Sequence, residues 1–437
     1  MFKNKRIILV AILAVMVGSV IAQTTSPYSR YGYGILRDQT VGPSKGMGGI
    51  GYGLRHKQGA NPMNPASYSN VDSLTFLFDV GVSYTNAKLS EGNTNQNDDS
   101  GGLDYITMLF PVSKRLGLSF GVLPYSTVGY SFGSIKEEGS VSSKHAFDGS
   151  GGLSQIYGGL GYETPIKGLS IGANISYLFG KVNHTKSSVP QVAGSGYSLE
   201  ETELKIRTAK FDLGLQYEMR LSPKDVLTIG AFYSPKISSK GDYRNVLVTY
   251  NAAGGQESRL GDTIPNINSG LPATYGIGFS LARNRNLLIG ADITYQEWEN
   301  VKYPSQMGDG LSSSQRFNNR WKYAAGIEYM IDPYDRNYFK KIKFRGGFNY
   351  SNSYLNVSYN DGTNYVPKGY NEYGATFGLG LPLKESEMYT GRTSYINITF
   401  EYKKVSPKVS SMIKEEYFGV SLGVNINDLW FVKRKIF

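Results

Sequence analysis

The sequence predicts an all-β protein: a transmembrane antiparallel β-barrel of about fourteen strands, with an N-terminal segment folded inside it. Three observations predict this fold. Apolar and polar side chains alternate along many successive segments, as in strands with one face toward lipid and one toward a lumen. The 437 residues include 34 Tyr, 20 Phe and 53 Gly, and such barrels carry aromatic girdles at both membrane interfaces. A targeting segment precedes the strands, and no later stretch approaches the roughly 20 apolar residues that a membrane helix requires.

Residues 1–22 are predicted to be a cleavable signal peptide. Three basic residues lie among the first six, and the apolar stretch 7–21 follows them. This stretch is too short for a comfortable membrane span and lacks a following basic cluster, while Ala22 provides a small residue at the cleavage site. We therefore expect the protein to be exported and its signal removed.

Residues 23–71 are predicted to form a hatch, or plug, in the barrel lumen. They lack the strand alternation but contain two motifs rich in glycine or proline. These hatch motifs comprise Gly46, Gly48, Gly49 and Gly51, and then Asn64, Pro65 and Ala66. The Tyr, Met and Leu content of the segment argues against disorder, so folding inside the barrel is the better explanation.

The glycine motif also matches the dinucleotide-binding pattern G-x-G-x-x-G. That pattern requires a preceding strand and a following helix within a βαβ unit, and the sequence predicts neither. Close packing of the hatch backbone against other backbone is the predicted role of these glycines.

Residues 72–437 form the predicted barrel domain. In the first strand, near 73–88, apolar side chains from Leu74 to Tyr84 alternate with polar or small ones, with Leu77 as the exception. The predicted strands lie near 73–88, 101–111, 115–132, 151–163, 169–184, 201–220, 225–240, 273–283, 286–298, 315–331, 341–355, 372–381, 392–403 and 415–427.

Long polar connections alternate with short turns between these strands. The long connections are 89–100, 133–150, 185–200, 241–272, 299–314 and 356–371, and the short turns are 112–114, 164–168, 221–224 and 284–285. The links at 332–340 and 382–391 are longer exceptions among the turns. Outer-membrane barrels place long loops outside and short turns in the periplasm. The sequence therefore predicts a bacterial outer-membrane protein with both termini in the periplasm.

The charge and cysteine content limit the possible partners. The net charge is +11, but no basic helix or nucleic-acid-binding motif is present, so we predict no nucleic-acid partner. Contact of basic turns with membrane lipid and lipopolysaccharide at the barrel rims explains the charge. The absence of Cys excludes disulfides, thiolate metal sites and Cys nucleophiles.

Several carboxylates occupy the polar, inward-facing side of predicted strands. These predicted luminal charges are Asp79, Asp212, Asp292 and Glu401. Because unpaired burial of a carboxylate is unfavourable, we expect them to pair with the hatch cations Arg30, Arg55 and Lys57. Hydration by water in the lumen is the alternative.

No enzymatic or metal chemistry is predicted. The nucleophile motif G-x-S-x-G occurs three times, at 117–121, 168–172 and 419–423, although a true nucleophile elbow occurs once, at a strand-to-helix turn. Strand alternation explains all three copies. The three histidines lack ligand spacing, and we expect no metal and no cofactor.

Several segments, taken in chain order, resemble those of FadL-type long-chain fatty acid channels. They are Asn64–Ala66, Leu271–Gly278, Asp292–Trp298, Ala325–Tyr329 and Arg345–Tyr350. The resemblance covers the mature chain, and the strand number of that family equals the number predicted here. It implies a barrel plugged by its N-terminal hatch, which takes up an apolar ligand and releases it sideways through a kink in the third strand.

Pro124, followed by Tyr125, is the candidate for that kink. Proline cannot donate to the ladder of a closed barrel, so the third strand must bulge or open there. A bulge that remains closed is the alternative to a lateral gate.

Two functions remain open at this point. One is passive uptake of hydrophobic small molecules such as long-chain fatty acids. The other is a non-transporting accessory subunit of an outer-membrane assembly or protein-secretion complex, because the resembling superfamily also includes barrels that do not transport.

Overall fold

The computed structural model describes residues 25–57, 59–138, 141–304, 307, 315–360, 365–383 and 393–429. The predicted signal peptide lies outside these residues. The strands are β1 (Ile35–Leu36), β2 (Thr75–Glu91), β3 (Thr94–Ser113), β4 (Leu116–Glu138), β5 (Val141–Glu163), β6 (Leu169–Pro190), β7 (Tyr197–Arg220), β8 (Asp225–Ser234), β9 (Ile237–Tyr250), β10 (Gln256–Leu271), β11 (Thr274–Arg283), β12 (Leu287–Gln296), β13 (Arg320–Met330), β14 (Lys343–Asn352), β15 (Val357–Asn360), β16 (Tyr365–Lys368), β17 (Tyr370–Leu383), β18 (Ser394–Pro407) and β19 (Lys414–Leu429). Short 3₁₀ helices lie at Pro27–Arg30, Gly42–Met47, Pro65–Asn70 and Tyr338–Lys341.

Antiparallel strands close into a 14-strand barrel, which confirms the predicted fold class. The ring runs from β2 through β8, continues with β11 to β14, and ends with β17, β18 and β19. The last strand pairs with the first over its whole length, from Lys414 opposite Ser90 to Leu429 opposite Thr75. Closure pairs each wall strand with a neighbour on both sides, as a lipid environment requires, except where β3 and β4 separate beyond Ile106 and Val122.

The predicted alternation sets the two faces of the wall. In β13, the outward side chains Trp321, Tyr323 and Ile327 are each 43–44% exposed, whereas the inward Lys322 and Glu328 are each 8% exposed. Apolar side chains therefore face the lipid, and polar side chains face the interior.

Aromatic rings continue this outer surface from strand to strand. The rings of Tyr233, Tyr275, Tyr295 and Trp321 follow one another across β8, β11, β12 and β13, with centroid distances of 5.2, 6.3 and 4.5 Å. Such a row of Tyr and Trp is typical of a membrane interface. No helix in the described part of the chain is long and apolar enough to cross a membrane.

The predicted strand 225–240 and loop 241–272 were wrong in detail. Strand β8 ends at Ser234, and the expected loop is largely the hairpin of β9 and β10. Strand β9 pairs with the far half of β7, from Ile206 opposite Gly241 to Tyr197 opposite Tyr250. The hairpin thus continues the wall beyond the part that pairs with β8.

The long loops predicted at 89–100, 133–150 and 185–200 are also mostly strand. Strands β2 to β7 extend through these ranges, and β4 and β5 pair as far as Glu138 opposite Val141. Outside the membrane, neither face of a strand meets lipid, so the apolar alternation disappears while the backbone ladder continues.

Candidate functional site: the luminal segment and the split in the wall

Residues 25–57 and 59–71, here called the luminal segment, pack against strands from several sides of the barrel. The helix Gly42–Met47 contacts β13, β14, β17 and β18, whereas the helix Pro65–Asn70 contacts β4 to β7 on another part of the wall. The segment also contributes Tyr33 and Tyr68, both 0% exposed, to two hydrophobic clusters formed with wall and loop residues. It is therefore packed against several sides of the lumen.

The luminal segment begins at the long-loop end of the barrel. The Ser26 hydroxyl donates to a Glu415 carboxylate oxygen at 2.7 Å, and the Tyr28 hydroxyl donates to the Ile413 carbonyl at 2.6 Å. Both partners adjoin the start of β19, at the opposite end from Leu429. Ser26 therefore lies at the long-loop end of the barrel, and the predicted periplasmic location of the two termini stays a prediction.

The Asn64-Pro65-Ala66 motif is tied to the wall through one buried amide. The Asn64 Nδ2 donates to the carbonyl of Tyr52 at 2.8 Å and to that of Leu215 in β7 at 3.2 Å. Its Oδ1 accepts from the Ala66 N–H at 3.2 Å, which caps the helix that follows. Asparagine supplies both a donor and an acceptor here, so a single side chain joins two parts of the luminal segment to the barrel.

Wall glycines allow the Pro65 backbone to approach closely. A Cβ atom at Gly172 would lie 2.3 Å from the Pro65 carbonyl carbon, and one at Gly214 would lie 2.1 Å from the Asn64 Oδ1. Any side chain at these positions would displace the segment.

The glycine motif packs in the same manner against the other side of the wall. Gly48 has φ 69°, and a Cβ on it would lie 2.6 Å from the Ala325 carbonyl oxygen. A Cβ at Gly347 of β14 would in turn lie 2.0 Å from the Gly48 nitrogen. Gly49 also has a positive φ, of 83°, while Gly46 lies against Gly378 of β17. Close backbone contact therefore accounts for the motif without a nucleotide.

The predicted luminal carboxylates have different surroundings. Asp292 Oδ2 accepts the backbone N–H groups of Gly51 and Tyr52, at 2.5 and 2.9 Å. Asp79 accepts from the Asn425 side-chain amide at 3.2 Å. The other two lie near strand cations: Asp212 pairs with Lys210, and Glu401 lines a luminal cavity together with Lys403.

The expected pairing of these carboxylates with hatch cations is wrong. In the part of the chain that the structure describes, Arg55 pairs with Glu218 at 3.5 Å and Lys57 pairs with Asp72 at 2.8 Å. Arg30 instead lies over the ring of Phe147, 4.3 Å from its centroid. Backbone donors serve Asp292, so its charge does not require a cation from the segment.

Other ion pairs join the luminal segment to the wall. Asp104 of β3 accepts from Arg37 at 2.9 Å and also pairs with Lys45, while Lys322 of β13 pairs with Asp38 at 2.6 Å. Desolvation inside the barrel would raise the pKa of Asp38, whose side chain is 46% exposed to a luminal cavity, but Lys322 and neighbouring cations outweigh it and hold the pKa well below its usual range. The alternation of inward and outward side chains could not identify Asp104 as an inward carboxylate, because Asp104 is the extra residue of a bulge in β3.

His56 lies in the luminal segment, and its Nε2 atom is buried without a hydrogen-bond partner in the described part of the chain. Its pKa is lowered to about 4, mainly because the imidazole is desolvated; Glu328 opposes this shift, whereas the cations Lys343 and Arg345 contribute to it. The imidazole is therefore neutral at ordinary pH. Among the described residues, no group of three or more acidic or histidine side chains is arranged to hold a metal ion.

The wall itself splits between β3 and β4. These strands pair from Leu116 to Val122 of β4, and the pairing ends at Ile106 opposite Val122. Beyond that point, β3 continues to pair with β2, and β4 continues to pair with β5. Two bulges lie at the split: Asp104 is the extra residue of β3, and Tyr125 is the extra residue of β4. Bulges bend strands, which explains why the two separate here.

Pro124 lies at this split. Its carbonyl accepts from the Gln39 side-chain amide at 2.9 Å, so its backbone polar side is directed at the luminal segment and not at β5. The N–H and C=O of a strand residue point to the same side, so an N–H at position 124 would also point away from β5, toward the side where β3 no longer pairs with β4. The missing N–H of proline therefore removes no hydrogen bond of the wall.

The luminal segment occupies the edge of β4 at the split. Ile35 and Leu36 form the short strand β1, which pairs with Thr127 and Ser126 of β4. The next residue continues the contact, since the Arg37 N–H donates to the Tyr125 carbonyl at 2.9 Å. The segment is thus bonded to β4 through its backbone and to β3 through the ion pairs of Asp104.

Two luminal cavities flank this part of the segment. The first has a largely charged lining with a few smaller polar side chains and the apolar Ile35, Leu36, Pro124 and Val420. Its charged residues are Arg37, Asp38, Lys45, Asp104, Arg320, Lys322, Glu372, Glu401 and Lys403. The second, toward β6 to β12, combines apolar side chains such as Tyr125, Phe232 and Leu271 with polar ones such as Gln155 and Lys210.

The G-x-S-x-G segments are part of the wall. Ser119 lies in β4, Ser170 in β6 and Ser421 in β19, and none of the three stands at a strand-to-helix turn. Ser119 is 0% exposed and donates to the Met108 carbonyl of β3 at 2.8 Å. This arrangement lacks the geometry of a nucleophile elbow.

Solved outer-membrane channels have a similar fold. The CymD monoaromatic hydrocarbon channel gives a TM-score of 0.56 at 15% identity, covering 92% of this chain and 100% of that one. The Pseudomonas putida toluene transporter TodX gives 0.58 at 15% identity, with 91% and 100% covered. A Pseudomonas aeruginosa FadL homologue gives 0.52 at 14% identity, with 94% and 99% covered. At these identities the likeness concerns the fold: a FadL-type outer-membrane barrel.

A comparison with curated protein sequences finds no significant match. The family model for BamG matches residues 1–437, the whole length of the sequence. The chain belongs to the BamG family.

Proposed function

We propose that the protein is a non-transporting barrel that serves as an accessory subunit of an outer-membrane assembly or protein-secretion complex. The observation that carries this proposal is the occupied split in the wall. Residues 35–39 hydrogen-bond to the edge of β4 at the place where a ligand would leave sideways. The same segment is held to β3 by two cations on Asp104.

The charged cavity beside the split supports the same conclusion. An apolar ligand that passed there would displace water from ionised groups such as Lys403 and Glu372, which pair at 2.7 Å, without providing replacement hydrogen bonds. Desolvating polar groups without compensation is unfavourable. The lining therefore disfavours a route for a hydrocarbon chain next to the opening.

The family assignment is compatible with this role. The name BamG fits the alternative, left open by the sequence, of a subunit associated with barrel assembly. The FadL-type fold supplies a stable outer-membrane wall, and fold alone does not specify transport.

The experiment deletes the gene in the native bacterium and measures two quantities: the abundance of other outer-membrane barrels and secreted proteins, and the uptake of hydrophobic substrates. The protein is also purified from native membranes in mild detergent, and the co-purifying proteins are quantified. We expect stoichiometric membrane or periplasmic partners, and a reduced abundance of other outer-membrane barrels or secreted proteins in the deletion strain. Unchanged levels of those proteins, with no partner and a specific loss of hydrophobic-substrate uptake, would contradict the proposal.

Passive uptake of hydrophobic small molecules is the second candidate. It is favoured by the separation of β3 from β4 and by the apolar side chains Tyr125, Phe232 and Leu271 of the second cavity. In this case, residues 35–39 would have to leave β4 before lateral release. Uptake of a fluorescent long-chain fatty acid by wild-type cells, absent in the deletion strain, would support this candidate.

A further inference from the structure

The connection between β13 and β14 differs from the tight turns at the same end of the barrel. It spans residues 331–342, whereas β11 and β12 are joined at this end by residues 284–286. Two aromatic side chains project from it: Tyr334 is 73% exposed and Phe339 is 70% exposed. Exposed aromatic side chains are unfavourable in water unless another surface covers them.

The backbone of this connection is held in one shape by its own polar side chains. Asp332 Oδ1 accepts the Tyr334 N–H at 2.9 Å, and Asn337 Oδ1 accepts the Phe339 N–H at 3.0 Å. Lys340 and Asp335 form an ion pair at 2.6 Å across the turn. None of these bonds involves an aromatic ring, so the rings are displayed on a preformed support. A preformed display lowers the ordering cost of binding.

The position of the two rings differs from that of a lipid-facing girdle. The girdle side chains Tyr233, Tyr275 and Trp321 lie along the strands and are 39–43% exposed. Tyr334 and Phe339, at 73% and 70%, are more exposed than these residues and lie in the connection beyond the ends of β13 and β14. Their geometry suits insertion into a partner's surface better than alignment along the membrane interface.

Basic groups surround the two rings. The exposed Arg285 donates to the Tyr334 hydroxyl at 3.0 Å, and Arg336 is exposed. Lys340 is paired with Asp335, and Asp332 is a second carboxylate, so the cations Arg285, Arg336, Lys340 and Lys341 leave a net charge of +2 around the rings. A partner that covers the aromatic rings meets these cations at the rim. Charge complementarity therefore favours an acidic partner.

We propose that the 331–342 connection is the docking site for an acidic periplasmic protein domain, which receives Tyr334 and Phe339 in an apolar pocket. The inference rests on the proposed accessory function, and on the rule that the short-turn end of such a barrel faces the periplasm. It identifies which end of the molecule binds the partner and which side chains provide the binding energy.

The test uses the full-length protein in its native bacterium, with a photo-cross-linking amino acid at position 339 or, as a matched control, at position 166. Ile166 is 63% exposed in the turn 164–168 at the same end. Adducted proteins are identified, and the same proteins are quantified in purifications of Tyr334→Ala/Phe339→Ala, Arg336→Glu and Ile166→Ala variants.

We expect a protein adduct at position 339 and not at 166. The yield of that protein should fall about tenfold or more in the double variant, as for aromatic hot spots. It should fall less in Arg336→Glu and remain unchanged in Ile166→Ala. Adducts only with lipid, or full retention of the partner by the double variant with normal barrel abundance, would overturn the docking site and leave the accessory function standing. Failure of the accessory function would instead appear as a wild-type purification without any partner.

Discussion

Replacing Asp104 with Asn should loosen the luminal segment from the split in the wall. The substitution keeps the shape of the side chain but removes the charge that holds Arg37 and Lys45. The Asp104 side chain is 4% exposed, whereas Arg37 and Lys45 are 34% and 17% exposed. The hydrogen bond from Ser83, at 2.7 Å, can remain with the Asn oxygen.

The free-energy change for release of the segment in Asp104→Asn follows from these side-chain exposures. Removing one partner of a fully buried ion pair costs about 3–5 kcal/mol, and losing an exposed pair costs about 0.2–1 kcal/mol. Because both cations retain access to luminal water, we expect about 2 kcal/mol for release of the segment. This corresponds to about a 30-fold larger open fraction, at about 1.4 kcal/mol per tenfold.

Trypsin digestion of the detergent-purified protein measures that open fraction. Cleavage after Arg37 or Lys45 requires the segment to leave the wall, and its rate follows the open population when opening is fast. The matched control is Asp98→Asn, which changes a charge in the same strand beyond the split and should alter cleavage by less than about twofold. Equal cleavage rates for Asp104→Asn and Asp98→Asn would refute the view that Asp104 holds the segment.

Three further predictions concern the segment and its contacts. Gly347→Ala should expel the segment, because the new Cβ would lie 2.0 Å from the Gly48 nitrogen. Gly346→Ala should have little effect, since its Cβ would have only one neighbour, at 3.7 Å. Single-channel conductance in planar bilayers should therefore rise for Gly347→Ala and not for Gly346→Ala. Pro124→Val should leave the free energy of unfolding in urea nearly unchanged, because the restored N–H faces the split. A gain in that free energy of more than about 1 kcal/mol would contradict this geometry. The unfolding free energy should fall by up to about 3 kcal/mol as the pH drops from about 6.5 to about 4, and should then level off. The reason is that the folded pKa of His56 is lowered to about 4, whereas the unfolded chain takes up this proton near pH 6.5. In urea titrations at several pH values, His56→Gln should remove this pH dependence, and an unchanged pH profile in the variant would refute the prediction.

The barrel could be predicted from sequence because the membrane forces a two-residue period on every spanning strand. Tyr323 and Ile327 of β13 face outward, as the pattern requires. The extensions beyond the membrane could not be predicted in this way. In the hairpin 237–271 the sequence does not alternate regularly between apolar and polar residues, although Tyr243, Val246 and Val248 of β9 are buried. The backbone ladders of β9 with β10 and with β7 define these strands.

The contacts of the luminal segment were less accessible to sequence reasoning. Asp292 was identified as an inward carboxylate, but its partners are the backbone N–H groups of Gly51 and Tyr52, which no charge pattern signals. Asp104 escaped notice because a bulge changes its parity. Pro124 was detectable, since a proline within a barrel strand conflicts with a continuous ladder.

The central claim, that the split is occupied and does not open during function, can be tested with one cross-link. Leu36 and Ser126 are paired across β1 and β4, and the natural chain has no Cys, so Leu36→Cys/Ser126→Cys can form a single defined disulfide. The measurement is complementation of the deletion strain by the oxidised variant, together with fatty acid uptake, and the reduced form of the same variant is the control. We predict that the oxidised and reduced forms restore outer-membrane assembly or secretion equally, with no uptake attributable to either. Uptake that the reduced form supports and the disulfide abolishes would contradict the account.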